Sequence, residues 1–246
     1  DKGFLAHVAG GLFLIGLWAL GAGLIQSPAL PSPVKVIDRL VEGLWFIIGG
    51  HIWASLGRIL LAMFASSLVA LPCGILLGRN PAWQKWGAPI IYLLYPIPKT
   101  AFLPLIFLWL GLGDSAKIFL IAIILFFQTF VAVMDSARAI EPRLIDSLAS
   151  LGAGPIDIYR HGIIPSVLPG VFTALRLGMG TALAVLFFAE NFATRKGIGF
   201  FILDSWMRVD YAAMYAGILA LALLGIILFA FVNALERREC RWRYVN

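Results

Sequence analysis

Apolar residues run for about twenty positions at a time along this chain, the length a helix needs to cross a bilayer. Short clusters of charge, glycine and proline separate the runs. The pattern predicts six membrane-spanning helices, over 4–25, 52–78, 89–110, 116–134, 171–193 and 211–235. Between the first two lies a different stretch, 34–44, with Lys35, Asp38, Arg39 and Glu42 on one side. Val36, Ile37, Leu40, Val41 and Leu44 recur there at helical spacing, as in an amphipathic helix lying in the interface. No repeat at a fixed period and no low-complexity tract is visible, so all 246 residues read as one domain.

The segment 135–169 breaks the pattern, being longer than a connection between spans requires. Its residues 142–151 predict a short helix with Leu144, Ile145, Leu148 and Leu151 along one stripe. Gly152, Ala153 and Gly154 allow a tight turn. Pro155 suits the start of a second short helix over 155–164, and Pro165 and Pro169 bound the approach to the fifth span. A helix, a bend of small residues and a second helix present an object for another protein to grip.

Composition decides the solvent. The chain is 61% hydrophobic and 13% charged, against about 45–50% and about 25% in soluble domains. Too little polar surface remains to cover a globule in water, so this is an integral membrane protein. The formal net charge of +6 does not point to nucleic acid, because the basic residues scatter over segment ends. They set topology instead. Ten lie on the side that holds both termini and the broken segment: Lys2, Arg79, Lys85, Arg138, Arg143, Arg160, Arg237, Arg238, Arg241 and Arg243. Six lie opposite: Lys35, Arg39, Lys117, Arg195, Lys196 and Arg208. Termini and broken segment are therefore expected in the cytoplasm. The opening residues read as part of a retained helix rather than a signal peptide.

Enzyme chemistry is not legible. No G-x-x-x-x-G-K-[ST] run is present to hold a nucleotide's phosphates, and "RKGIGF" at 195–200 reads as a turn. His7, His51 and His161 fall near segment ends or in the broken segment, as polar anchors, and no metal site is expected. Cys73 and Cys240 suggest neither a disulfide nor a metal site. Trp45, Trp53, Trp83, Trp86, Trp109, Trp206 and Tyr211 sit near span ends as interfacial aromatics. Charges within or at the edges of spans cost about 2.5–3.5 kcal/mol each at a helix centre. Arg58 reads as a snorkelling anchor, and Arg176 as a structural charge paired with Asp135 or Asp146. Glu190 reads either as a gate or inter-subunit contact or as an interface anchor. In "YPIPKTAF", Pro96 and Pro98, with Pro104 beyond, must break the third span and free backbone groups that line a cavity. Tyr95, Pro98, Lys99 and Glu190 are the candidates for a translocation path, with Lys99 able to attract an anion.

Asp146-Ser147-Leu148, then three residues and Gly152, then ten more and Ile163-Ile164-Pro165, resembles the E-A-A-x-x-x-G…I-x-L-P cytoplasmic loop. That loop marks importer-type ABC transporter permeases that work with a substrate-binding protein. "LPSPVKVIDRL", "SLGRILLAMFASSLVALPCGILLG", "YPIPKTAFLPLIFLWLGLGDSAKI" and "ALRLGMGTALAVLFFAE" resemble, in order and spacing, the nitrate/sulfonate/taurine branch of that family. The resemblance implies an all-α type I importer fold with six spans per subunit, working as a homodimer in the bacterial inner membrane. It implies that Asp146, Ser147, Leu148, Ala149, Leu151, Gly152 and Ala153 form a coupling helix seated in a groove on each of two ATPase subunits. Those partners, not this chain, would bind ATP and Mg, and the chain itself needs no cofactor. Asp146 stands for the usual Glu and Leu148 for an Ala, which implies a groove of altered shape. A soluble or lipid-anchored binding protein would deliver the solute, with 193–211 and 34–50 as the receiving surface. The solute would be a small anion or small organic molecule: nitrate, a sulfonate or taurine, bicarbonate, or a heterocyclic vitamin precursor. The rival reading, an ion-gradient-driven carrier, predicts paired acids near the midplane and inverted repeats; the sequence carries neither.

Overall fold

A computed structural model describes residues 2–192 and 194–243, and of residues 2–8, 45 and 46 the backbone alone. The readings of the Lys2, His7 and Trp45 side chains and of Ala193 lie outside the described residues. Among those described, every regular element is helical. That is the answer lipid imposes, since a helix satisfies its backbone N–H and C=O groups internally.

The long elements are α1 (Lys2–Ile25), α3 (Gly49–Arg79), α6 (Asp114–Arg138), α9 (Ile164–Glu190) and α11 (Tyr211–Glu239). Shorter ones are α2 (Pro33–Gly43), α4 (Pro81–Leu94), α5 (Leu103–Leu110), α7 (Pro142–Ser150), α8 (Pro155–Ile158) and α10 (Ile198–Met207). Gly49–Arg79, Asp114–Arg138, Pro155–Glu190 and Tyr211–Glu239 are each long and apolar enough to cross a membrane. The expected third span is two pieces, Pro81–Leu94 and Lys99–Leu110, bent by 77°. Pro96 and Pro98 lack the N–H groups that would carry α4 onward. The remaining expected span corresponds to α1, whose apolar described part is Ala9–Ile25.

Two boundaries differ from the sequence reading, both through π-helical turns. The amphipathic α2 does not end in a loop but runs through Leu44–Ile48 into α3. Likewise Tyr159–Ile163 joins α8 to α9, so the fifth span begins before Pro165 and Pro169 rather than after them. Pro165 sits in the first turn of α9, directly after the wider π turn. Pro169 is held inside α9, as Pro72 is inside α3.

The chain divides into two compact units. The first comprises residues 1–55 and 190–224. Its core is Val36, Ile48, Phe201, Ala213, Ala216 and Ala220, with Trp18 and Tyr215 packed against it. Trp18 stacks on Tyr215 and donates its indole N–H to the Pro31 carbonyl at 3.1 Å. The second unit comprises residues 56–189 and 225–246, and one of its clusters is Ala70, Leu77, Phe130 and Met134. There α3 meets α6 backbone to backbone: a Cβ at Gly78 would lie 2.5 Å from the Met134 carbonyl oxygen. Small residues at such crossings let two helices gain dispersion contact where lipid supplies no hydrophobic drive.

Candidate functional site

The segment between α6 and α9 is ordered by a capped turn. Pro142 opens α7 where its missing N–H costs nothing. At the far end Gly152 takes φ +86°, and two bonds close the motif: Gly152 N–H to Ala149 O at 2.9 Å and Ala153 N–H to Leu148 O at 3.1 Å. This is the glycine-terminated helix end in which a left-handed residue satisfies the last carbonyls. The predicted stripe divides. Ile145 and Leu148 are half-buried, with Leu148 over Gly162, while Leu144 and Leu151 face outward. Leu151 is 84% exposed and Ile156 81%. Asp146, Ser147, Ala149 and Gly152 are also exposed, and Ala153 is half-buried. Sequence reasoning passed over Ile156 and the exposed Tyr159; an apolar residue directly after the turn proline was the available signal.

The membrane-depth charges find partners that spacing alone did not indicate. Arg58 does not snorkel: it is 4% exposed, and its Nη2 and Nε reach Asp114 Oδ1 at 2.7 and 3.0 Å. A guanidinium in apolar surroundings is stable only when paired, and Asp114 sits in the first turn of α6, where the helix dipole favours an anion. Arg176 pairs with neither Asp135 nor Asp146 but with buried Glu236, which also accepts from Arg243 Nη1 at 3.1 Å. Asp135 instead accepts from the Tyr92 hydroxyl at 2.9 Å. Lys117, counted by the sequence among the basic residues opposite the termini, is buried and donates to the Leu112 and Gly113 carbonyls at 3.0 and 3.3 Å.

Glu190 is wholly buried in a cradle that includes the "RKGIGF" stretch. Ser55 Oγ donates to its carboxylate at 2.7 Å and the Gly199 N–H at 2.8 Å. The Ile198 N–H binds Ser55 Oγ at 2.8 Å, and the Gly197 N–H donates to His51 Nδ1 at 3.0 Å. That last bond requires Nδ1 to be unprotonated. More than a turn, 195–200 thus receives a carboxylate. Glu190, Ser55 and His51 all belong to the first unit.

Tyr95, Pro98 and Lys99 come together in the second unit. After α4 ends, Lys99 Nζ turns back onto the carbonyls of Leu94, at 2.9 Å, and Tyr95. It thereby neutralises the exposed end of a broken helix. The same nitrogen lies 4.4 Å from the Phe127 ring centre. Beside it is a cavity of about 260 Å³ lined by Tyr95, Pro98, Lys99, Thr100, Gln128 and Thr181 among others. Tyr95 and Gln128 also line a second cavity of about 530 Å³, with Asp135, Ser136, Thr173 and Arg243. Glu190 is in neither lining.

A helical, multi-span chain with paired intramembrane charges, a broken span beside polar cavities and an exposed apolar turn defines a membrane transport subunit. The chain belongs to the binding-protein-dependent transport system inner membrane component family, whose model matches residues 70–239. It is 32% identical over 232 residues to the taurine transport system permease protein TauC of Escherichia coli (strain K12), covering 92% of this chain and 84% of that one. It is 28% identical over 236 residues to SsuC of Bacillus subtilis (strain 168), named for aliphatic sulfonates transport, covering 94% and 84%. These relatives fall in the expected branch. Among solved structures, inward-facing MetNI methionine ABC transporter contains a chain that superposes with a TM-score of 0.63 at 19% identity. The match covers 80% of this chain and 98% of that one. The shared fold is that of a type I importer permease.

Proposed function

We propose that this chain is the membrane-spanning subunit of an ATP-driven uptake system for a small anion, with sulfonates first among the classes its relatives suggest. It works as a homodimer with six spans per copy, the termini and residues 135–169 in the cytoplasm. Two ABC ATPase subunits, which hold ATP and Mg, dock on the turn at Asp146, Ser147, Leu148, Ala149, Leu151, Gly152 and Ala153, joined by Ile156. ATP-driven closure of those subunits moves α7, tilts the spans and alternates access. The path runs past Tyr95, Pro98 and Lys99, while Glu190 holds α10 to α3. A soluble or lipid-anchored binding protein delivers the solute to the surface formed by α2 and α10.

The observation that carries this reading is the apolar tip. Leu151 and Ile156 stand more than four-fifths exposed on a polar segment held rigid by the Gly152 cap. Folding gains nothing from such exposure, whereas a partner's groove gains about 1.5–3 kcal/mol for each side chain it fully buries. The test is co-purification of the ATPase with the chain carrying Leu151→Asp and Ile156→Asp. Both sites are solvent-facing, so the chain folds and the ATPase is lost. Capture equal to wild type refutes the docking assignment. A well-folded wild-type chain that never captures an ATPase favours a gradient-driven carrier.

A further inference from the structure

Lys99 carries a charge that no carboxylate pairs with among the described residues. Two of its three N–H donors serve the Leu94 and Tyr95 carbonyls, and the faces of Phe127 and Tyr95 lie 4.4 and 5.5 Å from the nitrogen. One donor remains. The cavity of about 260 Å³ beside it is also lined by three hydroxyl-bearing residues, Tyr95, Thr100 and Thr181, and by the carboxamide of Gln128. Gln128 Oε1 is buried with no hydrogen-bond partner. It occupies space that exists only because residue 178 is glycine: a Cβ there would overlap it. A buried, unmet amide oxygen costs about 1–3 kcal/mol, and methionine would fill the same volume without that cost. Packing alone therefore does not account for Gln128. The oxygen is an acceptor that an anion cannot satisfy, so with Oε1 held against Gly178 the end of the carboxamide that can serve an anion is its Nε2 donor.

The lining contains an ammonium, the three hydroxyls of Tyr95, Thr100 and Thr181, and a primary amide, and no Asp or Glu. Charge-assisted donors without a competing acid suit an oxyanion. The volume lies below the roughly 300–1,000 Å³ of sites for drug-sized ligands, so the occupant is small. Gln128 and Tyr95 also line the adjoining cavity of about 530 Å³, where Asp135 and Arg243 stand. A solute that moves from one cavity to the other passes the untied carboxamide.

We propose that Lys99, Thr100, Gln128 and Thr181 form an oxyanion site within the permease subunit itself, with Gln128 as its specificity-determining residue. The solute it takes has a sulfonate-like head and few further atoms. This site rests on the reading of the chain as an uptake permease and locates selectivity inside the membrane as well as in any delivering protein. The probe is radiolabelled ethanesulfonate, bound to the full-length chain in nanodiscs without a binding protein. Wild type binds it saturably at millimolar concentration, and methanesulfonate competes while ethylamine does not. Gln128→Glu weakens binding about tenfold or more by placing a carboxylate against the sulfonate. Gln128→Met and Thr181→Val weaken it severalfold. Gln128→Met removes only an unpartnered group, so this variant is at least as stable as wild type, which separates loss of the site from loss of the fold. Absence of saturable binding in wild type overturns the proposal, as does unchanged affinity in Gln128→Glu and Gln128→Met. A chain that binds ethanesulfonate but captures no ATPase keeps the site and sinks the ATP-driven reading; capture without binding does the reverse.

Discussion

Replacing Gly197 by alanine tests the Glu190 cradle most directly. Gly197 has φ +146°, a region essentially closed to residues with a Cβ, where strain costs about 1–3 kcal/mol. The added methyl would also stand 2.5 and 2.6 Å from the two Glu190 carboxylate oxygens, far inside contact distance. The carboxylate is fully buried, and moving it breaks bonds from Ser55 Oγ and the Gly199 N–H. A buried charge stripped of a donor loses about 1–3 kcal/mol or more. Together these give a destabilisation of about 3–5 kcal/mol, among the largest single-site effects. Gly180→Ala serves as the control, since nothing lies within 4 Å of a Cβ there; in a helix it stabilises by up to about 1 kcal/mol. Unfolding in mixed micelles by SDS titration, followed by tryptophan fluorescence, reads both variants. Combining Gly197→Ala with Glu190→Ala separates the two contributions, because without the carboxylate only backbone strain remains. Stability of Gly197→Ala within about 0.5 kcal/mol of wild type refutes the cradle.

Four further outcomes follow from the charge pairs. Glu236→Leu removes the carboxylate that Arg176 and Arg243 share; because both guanidinium groups keep some exposure, at 26% and 55%, it costs about 1–3 kcal/mol in the same titration. Arg243→Ala, at a side chain 55% exposed, costs about 1 kcal/mol or less. Asp114→Asn takes the charged partner from Arg58, whose side chain is 4% exposed, and costs about 2 kcal/mol, less than a fully buried pair because Asp114 is itself exposed. For Asp210, burial pushes the carboxyl up, but the Ala213 N–H and the Arg39 guanidinium outweigh it and hold it below its ordinary value of 3.8. The folded chain therefore binds this proton less readily than the unfolded chain. Its stabilisation is complete above 3.8 and is lost as pH falls through the lower folded value. The thermal stability difference between wild type and Asp210→Asn is expected to be constant at neutral pH and to shrink under acid; a difference independent of pH refutes the pairing.

The amino-acid sequence by itself determined the solvent, the approximate spans and the capped turn. Each is a local property. A run of apolar residues is measured against bilayer thickness, and Pro142, Gly152 and Pro155 act through their own φ angles and missing N–H groups. The family was legible for the same reason, because the motif that carries the resemblance is contiguous from Asp146 to Pro165. Partnerships were not legible. Arg176 finds Glu236 60 residues away, Arg58 finds Asp114 56 away, and Glu190 finds Ser55 135 away. Such pairs follow from how long helices pack, and hydrophobic periodicity does not encode which polar positions will face each other at depth. The π turns at Leu44–Ile48 and Tyr159–Ile163 were hidden likewise, since they merge segments that proline and charge mark as separate in the sequence. Gln128 is the sharpest case: in the sequence it is one polar residue in an apolar run. Only the packing of α6 against Gly178 leaves its oxygen buried without a donor, at the wall between two cavities.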